Sequence, residues 1–243
     1  MLPALFMEIK ATDLILDMCA APGSKTGQII EILQKSGSLF DVTGGVIANE
    51  VDAKRARVLA HQLLRLNFPG FAVVNHPGQF LPCPTSTPFN KVLVDVPCTG
   101  DGAIRKLPQK WKNWSPEDSH GLHRLQIQLL DRAVGLTKEG GLIVYSTCSL
   151  NPIENEAVVA EVIRKYNSRL SGYLELVDVH QQFPDFKMTK GIKDWGVFKL
   201  SEKKESGDTP TFEPIPKGSS TKVPGKFTRQ RLSDKVHRHR SEY

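Results

Sequence analysis

Two cysteines in this chain follow apolar runs of strand character, and their settings repeat. Cys98 ends Asp95-Val96-Pro97-Cys98 and Cys148 sits in Ser146-Thr147-Cys148-Ser149. An isolated cysteine is most often a small buried hydrophobe. Two of them at the ends of neighbouring strands point instead to thiol chemistry. Cys148 precedes a segment with helix-start signals, and a helix N-terminus lowers a thiol's pKa and favours the thiolate. Cys19 and Cys83 lack such a setting. The first reads as a loop-packing residue and the second as part of a Pro-rich surface loop. No two cysteines form a C-x-x-C pair, so no metal site is expected.

A third feature concerns a ligand. The run Leu14-Ile15-Leu16-Asp17-Met18 is followed by Cys19-Ala20-Ala21-Pro22-Gly23-Ser24-Lys25-Thr26 and then by Ile29, Ile30 and Leu33 at helical spacing. Strand, small-residue loop and helix is the arrangement in which open α/β sheets bind ligands. Exposed amides at the helix start suit a carboxylate or phosphate. The same loop would also serve as a tight strand–helix turn with a packing glycine. A P-loop is not indicated, because Ser24 rather than glycine precedes Lys25 and Cys19 stands where the first glycine belongs. Glu50 ends a second strand, where an acid typically holds the two hydroxyls of a ribose.

The elements that must position these residues follow from periodicity. Strands are predicted at 14–18, 45–50, 71–75, 91–96, 141–145 and 174–179. Helices are predicted over 24–33, from Asp52 as N-cap through Leu63, and over 122–136. Asn151-Pro152-Ile153-Glu154 reads as a further helix start, with Asn as cap, Pro at the first position and Glu as the capping-box acid. Alternation of strands and helices implies a mostly parallel, doubly wound α/β sheet. Residues 1–200 are read as one catalytic domain, and 201–243, rich in Lys, Arg, Ser, Gly and Pro, as a flexible basic tail. The net charge of +6 favours a polyanionic partner. No apolar run is long enough to span a bilayer, and the first residues do not form a signal peptide, so an intracellular protein of nucleus or cytoplasm is expected.

The motifs CAAPGSKT, DVPCTGDG and YSTCSLNPIENEAV resemble those of the Nop/Sun-type RNA cytosine-5 methyltransferases, and KWKNW and GIKDW bring the likeness nearest the eukaryotic transfer-RNA members. The resemblance covers roughly residues 10–200. It implies a Rossmann-like class I methyltransferase fold, S-adenosylmethionine as cofactor and RNA, in particular tRNA, as partner, with a monomer expected. It implies cofactor contacts at Cys19, Ala20, Ala21, Pro22, Gly23, Ser24, Lys25, Glu50 and Asp95. It also implies Cys148 as nucleophile, Cys98 as an aid to product release and Asp95 as hydrogen-bonding partner of the base. Arg105, Lys106, Lys110 and Lys112, interleaved with Trp111 and Trp114, would grip a phosphate backbone and stack on a base. A solvated loop with tryptophans anchored on the core is the alternative, favoured for Trp114.

Three departures from the family pattern stand out. Pro77 occupies the place of an acid that contacts adenine. The chain starts almost at the first strand, so a catalytic core without the family's N-terminal extension is expected. No final strand of the family type is found, so the sheet is expected to lack the strand that would pair with 174–179, leaving a gap or an exposed edge. Two rival functions follow: an RNA-binding scaffold on a decayed methyltransferase fold, and a DNA cytosine methyltransferase, which would use the cysteine of the Pro-Cys motif.

Overall fold

The computed structural model describes residues 1–37, 42–83, 88–168, 172–180 and 182–196, and three short strands at 198–200, 212–214 and 235–238. In chain order the elements are α1 (Leu2–Leu5), β1 (Leu14–Asp17), α2 (Ser24–Lys35), β2 (Gly45–Asn49), α3 (Ala53–Leu64), β3 (Phe71–Val74), β4 (Phe89–Asp95), α4 (Gln109–Asn113), α5 (Pro116–Leu136), β5 (Thr137–Ser146), α6 (Glu156–Asn167), β6 (Leu174–Val177), β7 (Phe198–Leu200), β8 (Phe212–Pro214) and β9 (Lys235–Arg238). The main sheet runs β3-β2-β1-β4-β5-β9-β6, and β7 pairs with β8 apart from it. The five strands from β3 to β5 are parallel, and β9 is antiparallel to both its neighbours.

The parallel strands are apolar on both faces because helices cover both. Leu16, Val92, Val94, Ile143 and Tyr145 pack on Leu129, Leu130 and Ala133 of α5 and Val158, Val159 and Val162 of α6. Ile15, Val46, Ala48, Leu93 and Val144 pack on Ile29, Ile30 and Leu33 of α2 and Leu59 and Leu63 of α3. Each large side chain so buried contributes about 1.5–3 kcal/mol of transfer free energy. Chain order runs outward from β1 through β2 to β3, then resumes on the other side at β4. That reversal places the ligand crevice at the carboxyl ends of β1 and β4.

Asp52 caps α3 as expected, its carboxylate accepting from the Arg55 N–H at 2.8 Å. The expected start of α6 is corrected. Residues 151–155 form turns, and the helix begins at Glu156 with Asn155 as its cap residue. Asn151 satisfies the Ile153 N–H locally at 3.0 Å, so its oxygen closes a turn rather than capping a helix.

The expectation of a missing last strand is also corrected. Lys235–Arg238 lies between β5 and β6, with Val236 opposite Ile143 on one side and Leu176 on the other. Lys-Val-His-Arg has no apolar alternation, so nothing in its pattern marks a strand. Its backbone nevertheless pairs on both sides, and ladder hydrogen bonds do not depend on side-chain type. Apart from the strands at 198–200, 212–214 and 235–238, the tail lies outside the described residues, so its expected flexibility does too.

Candidate active site

The loop after β1 is held from three directions. The Ala20 N–H donates to the Asn49 carbonyl at 2.8 Å, and the Gly23 N–H donates to the Ala20 carbonyl at 2.8 Å. Gly23 has φ of 108°, and a Cβ there would meet Leu59 Cδ1 at 3.0 Å, so conformation and space both require glycine. Asn49 donates to the carbonyls of Met18 and His76 at 3.0 and 2.9 Å and accepts from the His76 N–H at 3.1 Å, which ties the β1 loop to the β3 loop.

Sequence reasoning missed Asp17. It is 1 % exposed, its Oδ2 accepts from Thr26 Oγ1 at 2.7 Å, and its Oδ1 has no partner. Burial pushes this carboxyl up to about 7; the Thr26 hydrogen bond opposes the shift and the nearby Asp95 charge adds to it. An acid ending an otherwise apolar strand was the available signal, since packing alone gives no reason for it. Arg55 was missed as well. Its Nη2 donates to the Ala21 carbonyl at 2.8 Å and lies 3.4 Å from Glu50 Oε2. Glu50 is 3 % exposed, and its Oε1 accepts from the Asp52 N–H at 3.0 Å. Pro77 accepts from the Phe80 N–H at 3.0 Å and opens a short 3-10 turn, Gly78–Phe80.

At the ends of β4 and β5 the predicted residues converge. Lys25 Nζ lies 2.6 Å from Asp95 Oδ2, and Ser146 Oγ donates to Asp95 Oδ1 at 2.6 Å. The Sγ atoms of Cys98 and Cys148 are 3.3 Å apart. A hydrogen bond from Cys98 pulls the Cys148 thiol below the ordinary range, with burial and the Asp95 charge opposing and Lys25 assisting. The same contact, reinforced by burial, pushes the Cys98 thiol well up. The pair is therefore unequal: one shared contact shifts Cys148 downward and Cys98 upward. Burial holds the Cys19 thiol up as well, and Cys83 is exposed on the surface.

The loops carrying the thiols pack tightly. The Gly102 N–H donates to the Cys148 carbonyl at 2.9 Å, and a Cβ on Gly102 would meet that oxygen at 2.6 Å. A Cβ on Gly100, which has φ of 71°, would meet Cys148 Sγ at 3.5 Å and Lys110 Cε at 3.9 Å. Lys110 thus borders the thiol pair, while Arg105, Lys106 and Lys112 are exposed around it. Trp111 is placed on α4 by its backbone, and its side chain lies outside the described residues. Trp114 is half-buried beside a cleft of about 200 Å³ that Lys110 and Asp118 also line. Among the described residues no group of His, Cys, Asp or Glu could hold a metal ion, and no helix is long and apolar enough to cross a membrane.

The parallel sheet, its β1/β4 crevice and solved structures similar to it define a class I methyltransferase fold. A methyltransferase homologue from Pyrococcus horikoshii matches 72% of this chain and 50% of its own, at 29% identity and a TM-score of 0.57. NSun6 from Pyrococcus horikoshii, solved with SFG, matches 98% and 51% of the two chains at 24% identity and a TM-score of 0.64. The chain belongs to the 16S rRNA methyltransferase RsmB/F family, whose model matches residues 4–193. Among curated relatives, the multisite-specific tRNA:(cytosine-C(5))-methyltransferase of Saccharomyces cerevisiae is 43% identical over 225 residues, covering 88% of this chain and 32% of its own length. The tRNA (cytosine(34)-C(5))-methyltransferase of Drosophila melanogaster is 40% identical over 238 residues, covering 93% and 31%. The chain spans about a third of the length of these relatives.

Proposed function

We propose that this chain transfers a methyl group from S-adenosylmethionine to carbon 5 of cytosine in RNA, with tRNA as the substrate class. The observation that carries the reading is the unequal thiol pair, 3.3 Å apart, at the carboxyl ends of adjacent strands. Membership in a family of RNA methyltransferases supports it.

The residues present fit the cofactor. Asp17 offers a buried, unpartnered carboxylate oxygen at the crevice, suited to a cationic amino group. The loop 19–25 offers small residues and helix-start amides for a carboxylate. Glu50 offers acceptors for a ribose. Bound there, S-adenosylmethionine supplies an electrophilic methyl group. At Pro77 no carboxylate is available for the adenine amino group, which leaves backbone acceptors and the exposed Val51 and Phe80 side chains for that ring.

The chain's own residues account for activation of the base. Carbon 5 of cytosine is a weak nucleophile. Cys148 Sγ adds to carbon 6, and the displaced π electrons make carbon 5 enamine-like. Asp95, protonated when the base is bound, donates to N3 and passes its proton there as Cys148 adds, which neutralises the negative charge that develops on the ring. To do so it exchanges Lys25 for the base, because both its oxygens are engaged without one. After methylation the carbon 5 proton passes to solvent, its C–H electron pair reforms the C5–C6 double bond and Cys148 leaves as thiolate. Cys98, beside it, assists by donating a hydrogen bond to the departing sulfur. The base must leave its stack to reach the pair. Exposed Arg105, Lys106 and Lys112, with Lys110 bordering the thiols, are suited to the flanking phosphates.

Methylation of a transcribed tRNA pool with labelled S-adenosylmethionine, followed by mapping of the modified base, tests the reading. 5-Methylcytosine in RNA is expected. RNA binding without cofactor binding or methyl transfer would favour a scaffold, which the Pro77 replacement makes the second reading. Transfer to DNA alone would overturn the RNA assignment.

Cofactor affinity is expected to fall in Glu50→Ala by a factor corresponding to about 1.5–3 kcal/mol, because charge-assisted hydrogen bonds to both ribose hydroxyls are lost. Isothermal titration with S-adenosylmethionine measures this. Parental affinity in the variant would mean that β2 does not hold the ribose.

A further inference from the structure

Glu154 is fully buried, yet no ion pair to it is formed among the described residues. A buried carboxylate is costly unless hydrogen bonds compensate. Here they converge from three segments. Its Oε1 accepts from Thr99 Oγ1 at 2.5 Å, Ser149 Oγ at 2.8 Å and Ser119 Oγ at 3.1 Å. Its Oε2 accepts from the Thr99 N–H at 2.9 Å and Gln126 Nε2 at 3.0 Å. None of these donors belongs to α6, so Glu154 does not cap that helix.

The identity of the donors gives the arrangement its meaning. Thr99 directly follows Cys98, and Ser149 directly follows Cys148. Gln126 Nε2 also donates to the carbonyl of Pro97, which precedes Cys98, at 3.0 Å. Ser119 and Gln126 lie on α5, a long helix anchored in the core by Leu129 and Leu130. The Glu154 carbonyl accepts from the buried Tyr145 hydroxyl at 2.6 Å, which fixes the residue to β5. One carboxylate thus joins both cysteine loops to the rigid body of the fold.

We propose that Glu154 is a positioning residue that holds Cys98 and Cys148 at reacting distance, acting through Thr99 and Ser149. It touches neither the base nor the cofactor. The inference rests on the reading of the thiol pair as the reacting groups. With the carboxylate gone, the loops keep the long Thr99 Oγ1–Ser149 Oγ contact of 3.3 Å and the Gly102 N–H to Cys148 carbonyl bond of 2.9 Å, and neither fixes them to α5, so the Sγ–Sγ contact relaxes. The other charged or titratable groups facing Cys148 are Asp95 from β4, Lys25 from α2 and Lys110 from α4. Those facing Glu154 are His123 from α5, Tyr145 from β5 and Cys98. Asp101, on the Cys98 loop itself, accepts from the Leu150 N–H at 3.0 Å, a link between the loops that does not anchor them to α5.

The test reads the thiol directly, without RNA. Iodoacetamide modification of Cys148 in the full chain is followed against pH by peptide mass spectrometry, with glutathione as the reference thiol. The parent should react with a midpoint below that of glutathione. Glu154→Ala should move the midpoint up toward glutathione and slow modification at pH 7 about tenfold. Glu154→Gln should stay within about twofold of the parent, because its amide nitrogen can donate to two of the three hydroxyls while its oxygen still accepts from Thr99 N–H and Gln126. Ser149→Ala, which frees only the Cys148 loop, should fall between them and covers the case in which Glu154→Ala does not fold. S-adenosylmethionine affinity should be unchanged throughout. An unshifted midpoint in folded Glu154→Ala, or in Ser149→Ala if the former does not fold, overturns the proposal. A shifted midpoint in a protein whose parent methylates no RNA would retain the tether and reject the proposed function instead.

Discussion

Cys148→Ala is expected to lose methyl transfer to RNA altogether, on the order of 10⁴-fold or more, while binding S-adenosylmethionine within about twofold of the parent. The two halves of this expectation come from different parts of the fold. The groups proposed to hold the cofactor sit on β1, its loop and the end of β2, whereas Cys148 follows β5 and contacts Cys98. Removing the thiol therefore leaves the loop at 19–25, Glu50 and the Lys25–Asp95 pair in place. Without a thiolate, carbon 6 receives no electrons and carbon 5 stays inert. The parent's pH profile carries the same information. Cys98 holds the Cys148 thiol below the ordinary range. Thiolate is present above its pKa and lost as pH falls through it, so the acid limb of single-turnover methylation should lie below that of a free cysteine. Tritium transfer from labelled cofactor to tRNA measures both. Turnover retained in Cys148→Ala would remove it as nucleophile, and lost cofactor binding would show that the substitution had damaged more than the thiol.

The convergence of the candidate residues at one sheet edge was legible from the chain because most of them follow strands, and strand ends in a doubly wound sheet share one edge. The β1–loop–α2 unit, the Asp52 cap and the positions of Cys98 and Cys148 follow from apolar periodicity and local chemistry alone. What periodicity cannot supply is a partner distant in sequence. Glu154 looked like a capping-box acid because it stands three residues after Asn151, the spacing that motif requires. The turn at 151–155 satisfied Asn151 locally, and donors from Thr99, Ser119 and Gln126, all far along the chain, claimed the carboxylate. Tertiary hydrogen bonding overrode a local signal. Asp17 was overlooked for a related reason: its missing partner is visible only once the crevice is closed around it. The strand at Lys235–Arg238 was invisible because its pairing uses backbone groups and its sequence shows no alternation.

Cys98→Ala should behave oppositely to Cys148→Ala: it should form the covalent bond to the base and fail to release it. The Cys98 thiol is pushed up by its contact with Cys148 and by burial, which makes it the poorer nucleophile of the two. Its removal leaves Cys148 able to add to carbon 6. The thiol of Cys148 loses its hydrogen-bond donor and rises toward the ordinary range, so adduct formation should slow at neutral pH and recover as pH is raised. Elimination is the step that suffers most, because the group beside the departing sulfur is gone. Protein cross-linked to labelled RNA should then accumulate on a denaturing gel in the presence of saturating S-adenosylmethionine, at a level many times that of the parent. The same gel separates the RNA-type assignment from the DNA-type one. If the cysteine of the Pro-Cys motif were the nucleophile, Cys98→Ala would form no adduct and Cys148→Ala would form one. A cross-link in Cys98→Ala that is absent from the double variant Cys98→Ala/Cys148→Ala would place the bond at Cys148. A cross-link surviving in the double variant would show that a residue outside the pair had reacted, and the division of labour between the two thiols would be wrong.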